Sequence, residues 1–428
     1  NPSGKAITIQ GTLNGDGSLA STVDAQQGGS VFIIKSGEGG GTVIMDLVIT
    51  GGDSNDGGGG ISCKAGSSPT IKNCTIANNS GPNGGGGIYC YDSSNPIIEN
   101  CIISNNSTDF EGGGVYCSFN SVPNIANSSI VDNNATLGGG LYLLGGSVEN
   151  CIISGNTATN NGGGIYCNAG NLTITDCTIE SNNGTYGGGV YCNTGSIPAI
   201  NDCIIQNNTA EQGGGVYLET TSPTIADTIF SNNTATDNGG AIRMTRSSSL
   251  VHNCQFINNS GPGGGAIWAW DTGTPIVEDS SFIGNSATAS YGGACGIATS
   301  VNALFRSSTF KQNTSVMPGG AIGASSGSFS LENTLFCENI PDDTTAYTDL
   351  GGNTFAITCH GYCCTGNDLI CINVSQPEHC LDFGGIFLDQ NGSCEECVIT
   401  CHHDVDEDGD TDIEDLLIVI SGWGSNCP

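Results

Sequence analysis

The chain has 428 residues, 68 of them glycine and only 6% aromatic, and its 8 Lys and Arg against 41 Asp and Glu give a formal net charge of -33. Such a surface repels phosphate backbones and anionic lipid, which excludes nucleic-acid binding and polybasic membrane attachment. The cations are Lys5, Lys35, Lys64, Lys72, Arg243, Arg246, Arg306 and Lys311, too few to cluster around an acidic substrate, which weighs against most enzymatic chemistry.

Residues 5 to 50 already carry short apolar runs, KAITIQ, SVFIIKSG and TVIMDLVIT, separated by glycine. They read as strands, so the chain is expected to begin inside a coil, and either its first strands form an open end, a template for association, or residues 1 to 30 fold back as a cap. The N-terminus has no charged-then-apolar leader pattern, and no stretch of 18 apolar residues occurs. The expectation is a mature exported chain, leader removed, with no membrane span.

From Cys63 onward one unit repeats. A glycine run precedes a short apolar strand in GGGGISC to Cys63, GGGGIYC to Cys90, GGGVYC to Cys117 and GGGIYC to Cys167, and later copies drift to GGAIRM at Met244 and GGAIGA at Ala324. The spacing averages about 26 residues, and a unit of that size cannot bury its own apolar face. About ten residues later comes a second run, IKNCTI, IENCII or ITDCTI, then an Asn-rich corner such as ANNS or QNNT. Alternation puts Ile88 and Cys90 on one face with Tyr89 on the other, and turns Cys74 and Ile76 inward and Thr75 outward. No helical period interrupts the pattern.

The fold class predicted is therefore all-β, a right-handed parallel β-helix spanning 1–339, its equivalent strands stacked at about 4.8 Å into a rod of about 55 to 60 Å. The recurring corner Asn is expected to form a hydrogen-bonded ladder, and glycine to supply the positive φ of the turns. Residues 340–400 lose the period and hold Cys359, Cys363, Cys364, Cys371, Cys380, Cys394 and Cys397, as in a small disulfide-knit module. Residues 401–428 form a third segment, an EF-hand-like loop and short helix.

Two motifs recur in phase: GGA-I at Gly240-Ala241-Ile242, Gly265-Ala266-Ile267 and Gly320-Ala321-Ile322, and F-x-x-N at Phe230 to Asn233, Phe256 to Asn259, Phe282 to Asn285, Phe310 to Asn313 and Phe336 to Asn339. This pairing, over roughly residues 30 to 339, resembles the repeats of polymorphic outer membrane proteins and related right-handed β-helix surface proteins. The resemblance implies a surface scaffold or adhesin and does not extend to that family's membrane-anchoring barrel. In the tail, Asp404, Asp406, Asp408, Asp410, Asp412 and Asp415 with Gly409 occupy positions 1, 3, 5, 7, 9, 12 and 6 of an EF-hand calcium loop, position 7 acting through its backbone carbonyl. The loop, with Asp in place of Glu at position 12, resembles that of a dockerin repeat. The cofactor expected is calcium; a dockerin carries two such loops and one is present, so a calcium-rigidified terminal module is expected rather than cohesin binding.

Chemistry elsewhere is sparse. The body cysteines fall in two columns, Cys63, Cys90, Cys117, Cys167 and Cys192, and Cys74, Cys101, Cys151, Cys177, Cys203 and Cys254. Pairing within rungs and pairing across to the next each make four bridges and leave four thiols over when Cys295 is counted with these eleven, and stacked free thiols acting as small hydrophobes are the third possibility. Cys394, Cys397, Cys401, His402 and His403 have the spacing of a zinc knuckle, but disulfides suit an exported chain better. Asp176, Asp202 and Asp227 exchange with Asn73, Asn100, Asn150 and Asn253, which reads as turn capping. Arg243, Arg246 and His252 form the lone basic cluster, with no acid dyad beside them in sequence, and are assigned to surface or packing. Tyr89, Tyr116, Tyr142, Tyr166, Tyr191, Tyr217 and Trp268 form an outward stripe, a structural stack or a sugar-binding face. Sequons recur at the corners, including Asn78, Asn106, Asn207 and Asn313.

The expected function is that of a secreted, non-enzymatic structural or adhesive solenoid, extracellular or at the cell surface. It is expected to self-associate through its ends into filaments and to meet glycans or a cell-surface partner. The alternative is a polysaccharide-binding or polysaccharide-degrading β-helix.

Overall fold

The computed structural model describes residues 5–193 and 195–356 and the backbone of three further strands, Tyr362–Thr365, Ile370–Asn373 and Ile386–Leu388. The chain divides into two units, residues 1–334 with 339–351, and residues 335–338 with 352–428. In the second, Leu335–Cys337 pairs in parallel with Thr354–Ala356, Tyr362–Thr365 pairs antiparallel with both other strands, and Cys337 is disulfide-bonded.

The first unit is a right-handed parallel β-helix with about 26 residues per turn, as expected, and contains no α-helix among the described residues. Each turn lays down three short strands, as in Ile61–Cys63, Thr70–Lys72 and Thr75–Ala77, and each strand pairs in parallel with its equivalent in the next turn. Three sheets result. The first runs over fourteen strands from Thr8–Gln10 to Thr348–Asp349, the second starts at Thr22–Asp24 and passes through Thr309–Lys311, and the third holds twelve from Phe32–Ile34 to Ile322–Ala324. A narrow eight-stranded sheet from Asn134–Ala135 to Thr314–Ser315 covers one corner.

The run IKNCTI, read as one strand, is two. Asn73 adopts φ 50° between Thr70–Lys72 and Thr75–Ala77, the left-handed conformation Asn tolerates better than most residues. The same break recurs at Asn100, Asp176, Asp202, Asp227 and Asn253, which is why Asn and Asp interchange there. The interior is a stack of like on like: Ile61, Ile71 and Ile76 are fully buried, and from the ninth turn of the chain's register onward Phe230, Phe256, Phe282 and Phe310 replace isoleucine and stack with ring centroids 4.9, 4.5 and 4.5 Å apart.

At the next corner the second Asn of each pair turns inward. Asn208 Nδ2 donates to the carbonyl of Ile179 at 2.9 Å and to Oδ1 of Asn233 at 3.0 Å, while its own Oδ1 accepts from N and Nδ2 of Asn182, both at 3.0 Å. This pattern runs from Asn79 to Asn339, so the expected ladder is present and each buried amide is satisfied. The glycine run closes the third side. A Cβ on Gly86 would lie 2.5 Å from the carbonyl oxygen of Ser107 and 2.6 Å from that of Gly113, so only glycine permits the rungs to approach there.

Candidate functional site

The third sheet presents its outward column to a wall formed by the glycine run and the narrow sheet. Tyr89, Tyr116, Tyr142, Tyr166, Tyr191 and Tyr217 stack along that column with centroids 4.9 to 5.4 Å apart. Although outward in the strand sense, the inner members are covered: Tyr142, Tyr166, Tyr191 and Tyr217 are buried and pack against Leu137 and Tyr186. Burial pushes the Tyr142 hydroxyl up to about 12 and raises those of Tyr166 and Tyr191 further. For most of its length the stripe is thus core.

The stack ends at Arg243. Strands Val216–Glu219, Ile242–Thr245 and Ile267–Trp270 pair so that Tyr217, Arg243 and Trp268 align, and Glu219, Thr245 and Trp270 align beside them. Arg243 is 6% exposed, with its guanidinium carbon 5.9 Å from the ring centroid of Trp268 and 5.3 Å from that of Trp270, within cation–π range. Its Nε donates to Thr245 Oγ1 at 3.4 Å, but its Nη1 is buried with no partner. Burial lowers its pKa from the usual guanidinium value, and Tyr217 and Asp237 act in the opposite direction. A buried N–H left unpaired costs free energy that an incoming acceptor recovers.

Beside Arg243 lies an open cleft of about 470 Å³ lined by Asn161, Tyr186, Tyr191, Gln212, Tyr217, Glu219, Asp237, Arg243 and Trp270. Glu219 is bonded by the Tyr191 hydroxyl, Asp237 Oδ2 accepts from Gln212 Nε2 at 2.7 Å, and Asn161 Oδ1 is a second buried atom without a partner. Trp270, 39% exposed, offers a ring face at the edge. The residues that line the cleft thus bring together aromatic rings, two carboxylates, and a buried donor and a buried acceptor without partners.

Of the basic cluster read from sequence, then, Arg243 lines this cleft. Arg246 lies outside, 3.5 Å from Glu219 and 2.8 Å from Asp271, and His252 faces Glu278 and Asp279 on the first sheet. The absence of acids beside them in sequence is corrected by the coil, which brings carboxylates in from adjacent turns. Glu219, Asp237 and Trp270 were not singled out by sequence. The signal that could have found them is the break in the repeat, where Arg243 replaces the tyrosine of its column; Glu219 and Trp270 lie two positions beyond that column in the turns on either side.

The two cysteine columns of the solenoid are bridged neither within turns nor across them. The twelve from Cys63 to Cys295 are buried free thiols, and each column has its own reason. At the bend between first and second sheets, Cys74, Cys101 and Cys151 direct Sγ to the carbonyl two residues earlier, at 3.3, 3.3 and 3.2 Å. Ser128, Thr228 and Ser280 do the same at 2.8 Å elsewhere in that column, so the thiol acts there as a small donor. In the third sheet Cys90 and Cys117 align with Leu143, as small hydrophobes would. Of the sequons, Asn106 and Asn313 belong to the buried ladder, which denies them to a glycan in the folded chain, whereas Asn78 and Asn207 are exposed. The calcium positions Asp404, Asp406, Asp408, Asp410, Asp412 and Asp415, and the knuckle at Cys394 to His403, lie outside the described residues.

The architecture defines an all-β solenoid of parallel strands. The family of the right-handed beta helix region matches residues 13–171, 136–256 and 188–356, and the chain belongs to that family. No curated protein matches it in sequence. The family includes pectate lyase-like enzymes and glycosidases as well as proteins without catalysis, so membership defines the fold and not the activity. No helix among the described residues is long and apolar enough to cross a membrane.

Proposed function

We propose that this protein is a non-enzymatic, adhesive β-solenoid that binds saccharide in the cleft at Arg243. The observation that supports this reading is the buried, unpartnered Nη1 of Arg243 set among aromatic faces and two carboxylates. A sugar presents hydroxyl acceptors and donors along a ring whose C–H face packs on aromatics, and the cleft offers partners for each. In the middle of the stripe Tyr142 and Tyr166 are buried and offer no ring face to a ligand, so binding is placed at the Arg243 end of the stack.

The test is retardation of the full chain in native gels containing acidic or neutral polysaccharides, with a parallel assay for released reducing ends. Retardation by at least one polysaccharide is expected, with no release. Trp270→Ala, at a half-exposed position, should weaken binding at least about tenfold, roughly 1.4 kcal/mol, with the fold unchanged. Absence of retardation throughout would overturn the reading, and release of reducing ends would turn it into an enzyme.

A further inference from the structure

On the first sheet, away from the cleft, His252 closes strand Leu250–His252, Glu278 closes Ile276–Glu278 and Arg306 closes Asn302–Arg306; parallel register places the three side by side in consecutive turns. Asp279 follows Glu278 with φ 49°. That left-handed bend sets its carboxylate on the same side, with Oδ2 3.3 Å from His252 Nδ1, while Glu278 Oε1 lies 3.4 Å from the same nitrogen. One donor atom from each of the three residues falls within 4.8 Å of the others.

We infer that His252, Glu278 and Asp279 form a site for a divalent transition metal of the zinc type. Three features support this over a simple ion pair. First, His252 Nδ1 is buried yet makes no hydrogen bond, although two carboxylates stand beside it; a protonated ring held by charge would donate to one of them. Second, Glu278 is already oriented, because Arg306 takes its Oε2 and leaves Oε1 toward the imidazole, the outer-shell support usual for a ligating carboxylate. Third, the donor set is one imidazole nitrogen and two carboxylate oxygens, which suits zinc and its neighbours better than the all-oxygen preference of calcium or magnesium. His252 and Asp279 are partly exposed, so the remaining coordination positions open to solvent or to a donor from a ligand. The rigid ladder holds two of the three ligands at a fixed spacing before any ion binds.

The experiment is calorimetric titration of the full chain with Zn2+ after chelator treatment, comparing the protein with His252→Ala and Asp279→Asn. Asn is the structurally conservative choice at 279, because Asn253 occupies the equivalent bend one turn earlier with φ 50°. Zinc taken up by any other histidine or cysteine is common to all three proteins, so the reading is the difference. One equivalent of Zn2+ should be lost in His252→Ala, and the affinity of that equivalent should fall at least about tenfold in Asp279→Asn. Unchanged melting curves without metal would show that both variants fold. Equal stoichiometry and affinity in Asp279→Asn and the parent chain would overturn the site, whatever became of His252→Ala.

Discussion

Each Asn-Asn corner divides two tasks between neighbours of one chemical type. Asn207 takes the left-handed conformation with φ 55° and stays exposed, whereas Asn208 is fully buried in the ladder. Replacing Asn208 with Ala strands N and Nδ2 of Asn182 and the carbonyl of Ile179, and buried groups left unpaired cost about 1–3 kcal/mol each. A loss of about 3–5 kcal/mol is expected, and more for Asn208→Asp, which would aim a charged acceptor at the Ile179 carbonyl and at Asn233 Oδ1. Asn207→Ala forfeits only the conformational preference, about 1–2 kcal/mol. Chemical denaturation of the three variants checks the order, and equal losses at 207 and 208 would contradict the ladder's role. The corner and its ladder were legible from sequence because Asn recurs there in nearly every turn. Which Asn of the pair points inward was not, since both belong to one motif. Arg243 registered only as part of a basic cluster assigned to surface or packing, for the opposite reason: it occurs once in its column, and its partners lie a full turn away.

At the level of the strand, two-residue alternation correctly placed Ile88 and Cys90 inward and Tyr89 outward, but outward did not mean exposed. The glycine run folds over the tyrosine column so closely that a Cβ on Gly263 would lie 2.5 Å from Cζ3 of Trp268. Alternation within a strand cannot report a cover supplied by a different segment. The consequence is a stack whose ionisation is tied to unfolding. An unfolded tyrosine titrates near about 10, whereas Tyr142 in the stack is pushed up to about 12 and Tyr166 and Tyr191 are raised as well, all chiefly by burial. Above pH 10 the unfolded chain therefore holds fewer protons than the folded one, so stability contributed below that pH is lost as pH rises through the folded values. Absorbance at 295 nm should rise in a steep step that coincides with loss of the β-sheet circular dichroism signal. A shallow titration centred near pH 10 with the sheet intact would show that the stack is open to solvent. The thiol columns illustrate the same limit of pattern reading. Cysteine recurrence was visible, but only the hydrogen bonds of Cys74 and its serine equivalents reveal the thiol as a donor.

Over the whole molecule the dominant electrostatic fact is the net charge of -33. The surface cations are few, and the ion pairs among the described residues come down to Arg246 with Glu219 and Asp271, Arg306 with Glu278, and His252 beside Glu278 and Asp279, so salt has little attraction to screen and much repulsion. Stacking in parallel register also sets like residues about 4.8 Å apart in successive turns, well inside a Debye length of about 8 Å at physiological ionic strength. The folded solenoid concentrates its acids more than the unfolded chain does, and added sodium chloride should therefore stabilise it. Mild acidification should act in the same direction. Burial raises the carboxyls of Glu111 and Asp343 above their ordinary values, so their penalty in the folded state is relieved as pH falls through the raised values, while Asp16, lowered by Ser18, is fully exposed and solvent-screened. A melting temperature that rises by at least about 2 °C, roughly 1.5 kcal/mol for a domain of this size, between low salt and half-molar sodium chloride at pH 7 is the expected result. Chloride is the proper probe, because sulfate would strengthen apolar burial by itself. A melting temperature that fell with salt would mean that ion pairs, rather than the stacked amides and apolar columns, hold the turns together.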